Sequence, residues 1–259
     1  MKNATFVTGS ASGLGFELAK LFGSEKHDLV LVDMNEEGLM RAKEEIHKEN
    51  PSITIYTFKA NLGNKEEMKK AFEFTKENDL FIDNLVNAAG FGDRCDFKEM
   101  DIDKQLLMTE VNCNAVLYFT RVFLDDMLKN NTGHIINVSS IAGFLPGPYM
   151  CTYHATKGFV LLLGESISRE LKGTDVHLLT LCPGPFKSNF VKQAHNDYTF
   201  SKIKPVTAKT VAEFAYAKSK KNKTLAVVGF KNRCTIFFSR FFSRKFVTNQ
   251  SAKTMKKDA

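Results

Sequence analysis

Two side chains four residues apart, Tyr153 and Lys157, could do acid–base chemistry. In a helix that spacing puts both on one face, one turn apart. An ammonium there favours phenolate and brings the phenol down from about 10, toward a useful general acid–base. A lone pair of this kind on a random helix is a solvated surface pair. What lifts it above that reading is its company. Ser140 lies 13 residues earlier, at the end of an apolar run, where its hydroxyl can polarise a carbonyl, and Asn112 lies in a long helical stretch, where it could hold a water. Each has a plainer reading as well: Ser139-Ser140 as a strand-to-loop turn, and Asn112 as one of two mid-helix asparagines with Asn114.

These residues must be positioned by a framework, and the chain alternates short apolar runs with amphipathic ones throughout. ATFVT, DLVLVD, ITIYTF, IDNLVN, GHIINVSS, DVHLLTL and LAVVGF read as seven strands, mostly apolar on both faces. Helices are expected at residues 14–22, Glu36–Glu49, Lys65–Glu77, 101–129, 151–171 and Ala208–Ser219. Repeated βα units imply a single-domain, doubly wound α/β fold of Rossmann type, with a parallel sheet and right-handed crossovers.

In such a fold the turn after the first strand is the natural place for a dinucleotide. Thr8-Gly9-Ser10-Ala11-Ser12-Gly13-Leu14-Gly15 runs from strand to helix, where missing side chains let backbone approach a pyrophosphate. Asp33, 18 residues beyond Gly15, ends the second strand. Its carboxylate can accept from both ribose hydroxyls and would repel a 2′-phosphate, and neither Met34 nor Ser12 offers positive charge, so NAD is favoured over NADP. The competing role for Asp33 is to cap the helix that follows. Asn87-Ala88-Ala89-Gly90, at the end of the fourth strand, offers small residues for close approach of a ring or ribose.

Composition excludes several classes. The chain has 259 residues, 43% hydrophobic and 25% charged, with no uninterrupted apolar run long enough to span a membrane and no evident signal peptide, so a cytoplasmic protein is the expectation. Five scattered cysteines without a CxxC pair, and six histidines without ligand spacing, suggest neither disulfides nor a metal. The net charge of +7 belongs to one end: residues 1–230 carry 28 basic and 28 acidic side chains, residues 231–259 carry 8 and 1. A nucleic-acid partner for the domain loses its support.

Taken in order, TGSASGLG, NAAG, Asn112, the trio Ser140, Tyr153 and Lys157, and Cys182-Pro183-Gly184 followed by Ser188 resemble the short-chain dehydrogenase/reductase family over about residues 3–230. The resemblance implies that Ser140 positions the substrate oxygen of a secondary alcohol or ketone and that Tyr153 transfers the proton. It also implies that Lys157 binds the nicotinamide ribose and lowers the tyrosine pKa, and that Asn112 completes a water relay. Pro183 and Gly184 would lie along the nicotinamide, with Ser188 standing where the family has threonine. Asn61, followed by Leu62, stands where the family has an aspartate contacting adenine. Relatives ending in LAVVGF and a basic helix often carry Arg after the second strand and use NADP; Asp33-Met34 points to NAD. The long helices 101–129 and 151–171 resemble those that join family members into homodimers or homotetramers.

Two segments lie outside the βα alternation. Residues 186–204, with Phe186, Phe190, Tyr198 and Phe200, read as a substrate lid suited to a lipophilic steroid-, acyl- or xenobiotic-like molecule. Residues 231–247 place Cys234, Phe237, Phe238, Phe241 and Phe242 at helical spacing with Arg233, Arg240 and Arg244 on another face. This basic amphipathic extension suits peripheral membrane contact, or else its rings cover the substrate opening or a second subunit. A 3-oxoacyl reductase using NADP, and a dinucleotide sensor without turnover, are the competing functions.

Overall fold

The computed structural model describes residues 1–187 and 205–255. Seven parallel strands form one sheet: β1 (Lys2–Thr8), β2 (Asp28–Asp33), β3 (Ile55–Lys59), β4 (Leu80–Asn87), β5 (Gly133–Val138), β6 (Val176–Cys182) and a short edge strand Leu225–Val227. In space the order is β3-β2-β1-β4-β5-β6 and then the edge strand. Strand order therefore reverses between β1 and β4, and at such a switch point the connections diverge to opposite faces and leave a crevice at the carboxyl ends.

Helices cover both faces. On one face α1 (Gly13–Ser24) and α2 (Glu36–Glu49) bury Leu18, Phe22, Leu39 and Ile46 against Leu29, Leu31 and Val7. On the other, α3 (Lys65–Glu77) and α5 (Ala115–Lys129) meet Phe6, Val30 and Leu85. There Phe6 touches Phe119 and Phe123 with ring centroids at 5.0 and 4.9 Å. Each such fully buried ring contributes about 1.5–3 kcal/mol, so these contacts hold β1, and with it the loop that follows, firmly in place.

The expected single helix over 101–129 is interrupted. Asp101 caps α4 (Ile102–Thr109) by accepting from the Asp103 N–H at 3.1 Å, a π-turn occupies Glu110–Asn114, and α5 then continues. The extra residue of a π-turn rotates the helix surface locally, a feature that period-3.6 patterning does not register. Beyond it, α6 (Cys151–Glu170) follows β5 through a short 3-10 turn, Ile141–Phe144.

After β6, the strands β7 (Phe186–Lys187) and β8 (Val206–Thr207) pair with each other, and α7 (Ala208–Ser219) leads to the edge strand, β9. The stretch LAVVGF is strand only as far as Val227. Gly229 turns with φ +87° and Phe230 already belongs to α8 (Phe230–Ser239), which is followed by α9 (Arg244–Met255). The extension is thus two helices rather than one through residue 247. No helix among the described residues is long and apolar enough to cross a membrane.

Candidate active site

The glycine turn is held by its own backbone and by side chains beneath it. A Cβ on Gly15 would lie 2.3 Å from the Gly9 carbonyl oxygen, and one on Gly9, whose φ is +67°, would lie 2.8 Å from the Ala89 main chain. Both positions exclude any larger residue. Thr8 Oγ1 accepts from the Ala88 and Ala89 N–H groups at 3.1 and 3.2 Å, fastening the glycine turn to the Asn87–Gly90 loop. Thr8 therefore sits under the floor, not in the cavity. Asn87 does likewise: its Nδ2 donates to Thr120 Oγ1 at 3.1 Å and Asn137 Oδ1 at 2.8 Å, tying β4 to α5 and β5. Both side chains support the loop from beneath, Thr8 through its hydroxyl and Asn87 through its amide Nδ2, while Asn87 Oδ1 is buried without a hydrogen-bond partner among the described residues.

The helix ends nearby show where an anion would go. α2 and α3 open with side-chain caps, Asn35 and Asn64, and carry two glutamates each in their first turns. α1 has neither: Ser12 is extended, its side chain caps nothing, and the first turn holds no acid. Its leading N–H groups face the cavity without a side-chain partner among the described residues, as a pyrophosphate requires. Asp33 does not cap α2, since Asn35 does so by accepting from the Gly38 N–H at 3.0 Å. Asp33 accepts from the Ala11 N–H at 3.1 Å and from the Asn35 N–H at 3.0 Å, which steers its carboxylate to the rim of the same cavity.

That cavity, of about 1630 Å³, runs along the carboxyl edge of the sheet. It exceeds the roughly 300–1,000 Å³ of ordinary ligand pockets, and has room for a dinucleotide and a second molecule. Gly9, Ser12, Gly13, Leu14, Gly15, Asp33, Asn61, Leu62, Ala88, Ala89 and Gly90 line its first half. Ser140, Tyr153, Lys157, Pro183 and Gly184 line the middle, and Ser188 lies outside the described residues. Arg41, not anticipated from sequence, lines the rim beside Met34 and Asn35; one turn into α2, it was too far along the chain from Asp33 to be linked to it. These residues fit a nicotinamide dinucleotide.

The reactive trio comes together. Tyr153 Oη lies within hydrogen-bond reach of Ser140, and Lys157 Nζ is 5.8 Å from the centre of the Tyr153 ring. Lys157 is only 6% exposed and donates to the Val138 carbonyl at 2.9 Å. Burial lowers its pKa to about 8. Burial also pushes the Tyr153 phenol up to about 12, and the Ser140 hydrogen bond opposes that rise. Desolvation is the largest influence on this phenol, where the spacing alone suggests a lowering by Lys157.

Ser140 is set by the turn it opens, its Oγ accepting from the Ala142 N–H at 3.1 Å. Behind it Ser139 Oγ donates to the Lys157 carbonyl at 2.7 Å and binds α6 to β5. Asn112, in the π-turn, clasps Phe91: its Oδ1 accepts from the Phe91 N–H at 3.0 Å, and its Nδ2 donates to the Phe91 carbonyl at 2.8 Å and to Thr156 Oγ1 at 3.0 Å. Both amide donors are used, so the side chain ties the loop after β4 to α6. A Cβ on Gly90 would meet Asn112 Oδ1 at 2.9 Å and Lys157 Nζ at 3.4 Å, so this glycine too belongs to the site.

The far half is apolar and comes from segments distant in sequence. Leu145, Met150, Phe186, Phe238, Phe242 and Phe246 line it. Of the expected lid, only Phe186 and Lys187 fall among the described residues; Phe190, Tyr198 and Phe200 lie outside them. α8 seats against the middle of the site, where Asn232 Nδ2 donates to the Val228 carbonyl at 2.7 Å and packs on Gly184. At the other end Arg94, in the loop after β4, donates to the Met255 carbonyl, with Nε at 2.9 Å.

Comparison with known proteins agrees with this geometry. A family model described as short chain dehydrogenase matches residues 3–199. The chain is 32% identical over 178 residues to an uncharacterised oxidoreductase of Staphylococcus saprophyticus, a match spanning 69% of this chain and 76% of that one. A short-chain dehydrogenase/reductase from Burkholderia phymatum, solved in complex with NAD, shares its fold with a TM-score of 0.84 at 22% identity over 93% of both chains. A short-chain dehydrogenase from Sphingobium yanoikuyae, solved in complex with NADPH, does so with 0.82 at 21% identity over 93% of this chain and 94% of that one. The chain belongs to the short-chain dehydrogenase family and is an NAD(P)-dependent oxidoreductase.

Proposed function

We propose that this oxidoreductase interconverts lipophilic secondary alcohols and ketones with NAD as its preferred cofactor. The observation that carries the reading is the continuity of one cavity from Asp33, through Tyr153 and Ser140, to a wall of Leu145, Met150 and phenylalanines. When bound, the nicotinamide supplies or accepts the hydride. Ser140 holds the substrate oxygen through its hydroxyl, and Tyr153 Oη gives that oxygen a proton in reduction or removes it in oxidation. Lys157 holds the cofactor ribose, and its positive charge favours the phenolate that oxidation requires. Ser139 ties α6 to the end of β5 and Asn112 ties it to the loop after β4, so that the three reacting groups stay on one wall.

Asp33 supports NAD because a carboxylate at the rim accepts from ribose hydroxyls and repels a 2′-phosphate. Arg41 on the same rim favours a second reading, an NADP-dependent reductase, since a guanidinium pairs with phosphate. Dissociation constants of NADH and NADPH for the wild type, Asp33→Ala and Arg41→Ala, followed by turnover on a ketone panel, separate the two. Tighter NADH binding that collapses in Asp33→Ala sustains the first; tighter NADPH binding that collapses in Arg41→Ala replaces it. Preference for small hydrophilic sugars over apolar ketones would remove the lipophilic substrate. Exposed Leu106, Leu117, Phe159 and Leu162 on α4, α5 and α6 support a homodimer or homotetramer built through those helices.

A further inference from the structure

The helix pair α8 and α9 combines three properties. First, its aromatic rings are on the outside: Phe230 is 74% exposed, Phe241 71%, and Phe237, Phe238 and Phe242 more than half. They are not scattered, since Phe237 contacts Phe238 and Phe241 at 5.5 and 5.4 Å, and Phe242 stacks on Phe246 at 4.8 Å. A contiguous apolar patch of this kind on a water-facing helix marks a surface that meets something else. Second, residues 231–255 contain Lys231, Arg233, Arg240, Arg244, Lys245 and Lys253 and no acidic residue. None of these cations is in a salt bridge among the described residues. Third, Phe238, Phe242 and Phe246 also line the catalytic cavity, so the aromatic patch surrounds its mouth.

We propose that α8 and α9 dock the protein on an anionic lipid surface, with the Phe237–Phe246 rings at the acyl boundary, the arginines and lysines at the headgroups, and the cavity mouth facing the bilayer. Charge decides between this partner and another protein surface. Six cations without a salt bridge among the described residues, interleaved with aromatic rings, match a plane of lipid phosphates and carboxylates, where each cation adds binding and each ring finds hydrocarbon. A helix pair of this length lies on the membrane and does not cross it. Docking gives a lipophilic ketone a route from the bilayer into the apolar half of the cavity without passing through water. That last consequence rests on the function proposed above; the docking does not.

The test is co-sedimentation of the full chain with phosphatidylcholine vesicles, with and without phosphatidylserine, at low and high salt. Wild type, Phe237→Ser/Phe241→Ser and Arg240→Glu/Arg244→Glu are compared, none of these positions lining the cavity. NADH binding by fluorescence serves as the control for folding. Binding only to the phosphatidylserine vesicles, weakened by salt and reduced about tenfold or more in both double variants while NADH binding is retained, is the expected result. Binding that both variants retain places the membrane contact elsewhere and overturns the proposal. So does a wild type that ignores both vesicles but loses self-association in Phe237→Ser/Phe241→Ser, which makes the patch a contact between copies of the chain. Vesicle binding together with no turnover of any apolar ketone leaves the docking standing and removes the substrate reading.

Discussion

The two halves of the cavity are built on different principles. Around the glycine turn, backbone meets backbone: Gly9 lies against Ala89, Gly15 against Gly9, and Thr8 and Asp33 fasten the loop from below and beside. Around the mouth, α8 and α9 are held mainly by buried Ile236, by Asn232, and by Arg94 reaching the last described turn. Their rings remain half in water. The first half has one way to fit together, as a site for an invariant cofactor needs. The second has many, which would suit the apolar substrates proposed above.

The largest effect should come where the halves meet. Tyr153→Phe keeps the ring and removes the proton, so turnover is expected to fall by about 10²–10⁴ with NADH binding unchanged. Residual activity near wild type would take Tyr153 out of the chemistry. Within the rigid half, Gly9→Ala must place a Cβ into the Ala89 main chain at positive φ. A loss of about 2–4 kcal/mol in unfolding free energy is expected, together with loss of NADH binding, readable in a urea titration with and without cofactor. A variant as stable as wild type would mean that the turn is far more pliant than its contacts imply.

A smaller change probes charge in the same half. Asp33→Ala removes an acceptor for charge-assisted hydrogen bonds, so the ratio of NADH to NADPH affinity should shift toward NADPH by roughly tenfold to a hundredfold. An unchanged ratio would leave cofactor choice to Arg41. Smaller still is a pH effect from Lys157. Its folded pKa of about 8 lies below the model-compound value of 10.5, so between the two the unfolded chain binds the extra proton. The sign follows: this group's contribution to stability grows as pH rises from about 8 toward 10.5 and is lost as pH falls through 8. Relative to Lys157→Met, the wild type should gain stability across that window; parallel curves would contradict the buried ammonium. Least of all, Phe241→Ser on the outer face of the mouth should change the melting free energy by less than about 0.5 kcal/mol. A large loss there would make the flexible half as tightly built as the rigid one.

The sequence by itself determined the parallel sheet, the glycine turn, the carboxylate ending β2, and the Tyr153, Lys157 and Ser140 set. Those are local matters: an apolar run, a missing side chain or a four-residue helical spacing constrains the backbone wherever it occurs. Only the tertiary structure decided that Thr8 and Asn87 lie beneath the floor, that a π-turn aims Asn112 at Phe91, and that Arg41 shares a rim with Asp33. It alone decided that burial, not the neighbouring ammonium, dominates the Tyr153 phenol, because desolvation depends on everything packed around a group and no spacing encodes that sum. For the same reason the basic extension reads in sequence as one amphipathic helix, while in the fold it is two, wrapped round the mouth of the cavity. What its rings face depends on the cavity it covers, which is built by residues far away in the chain.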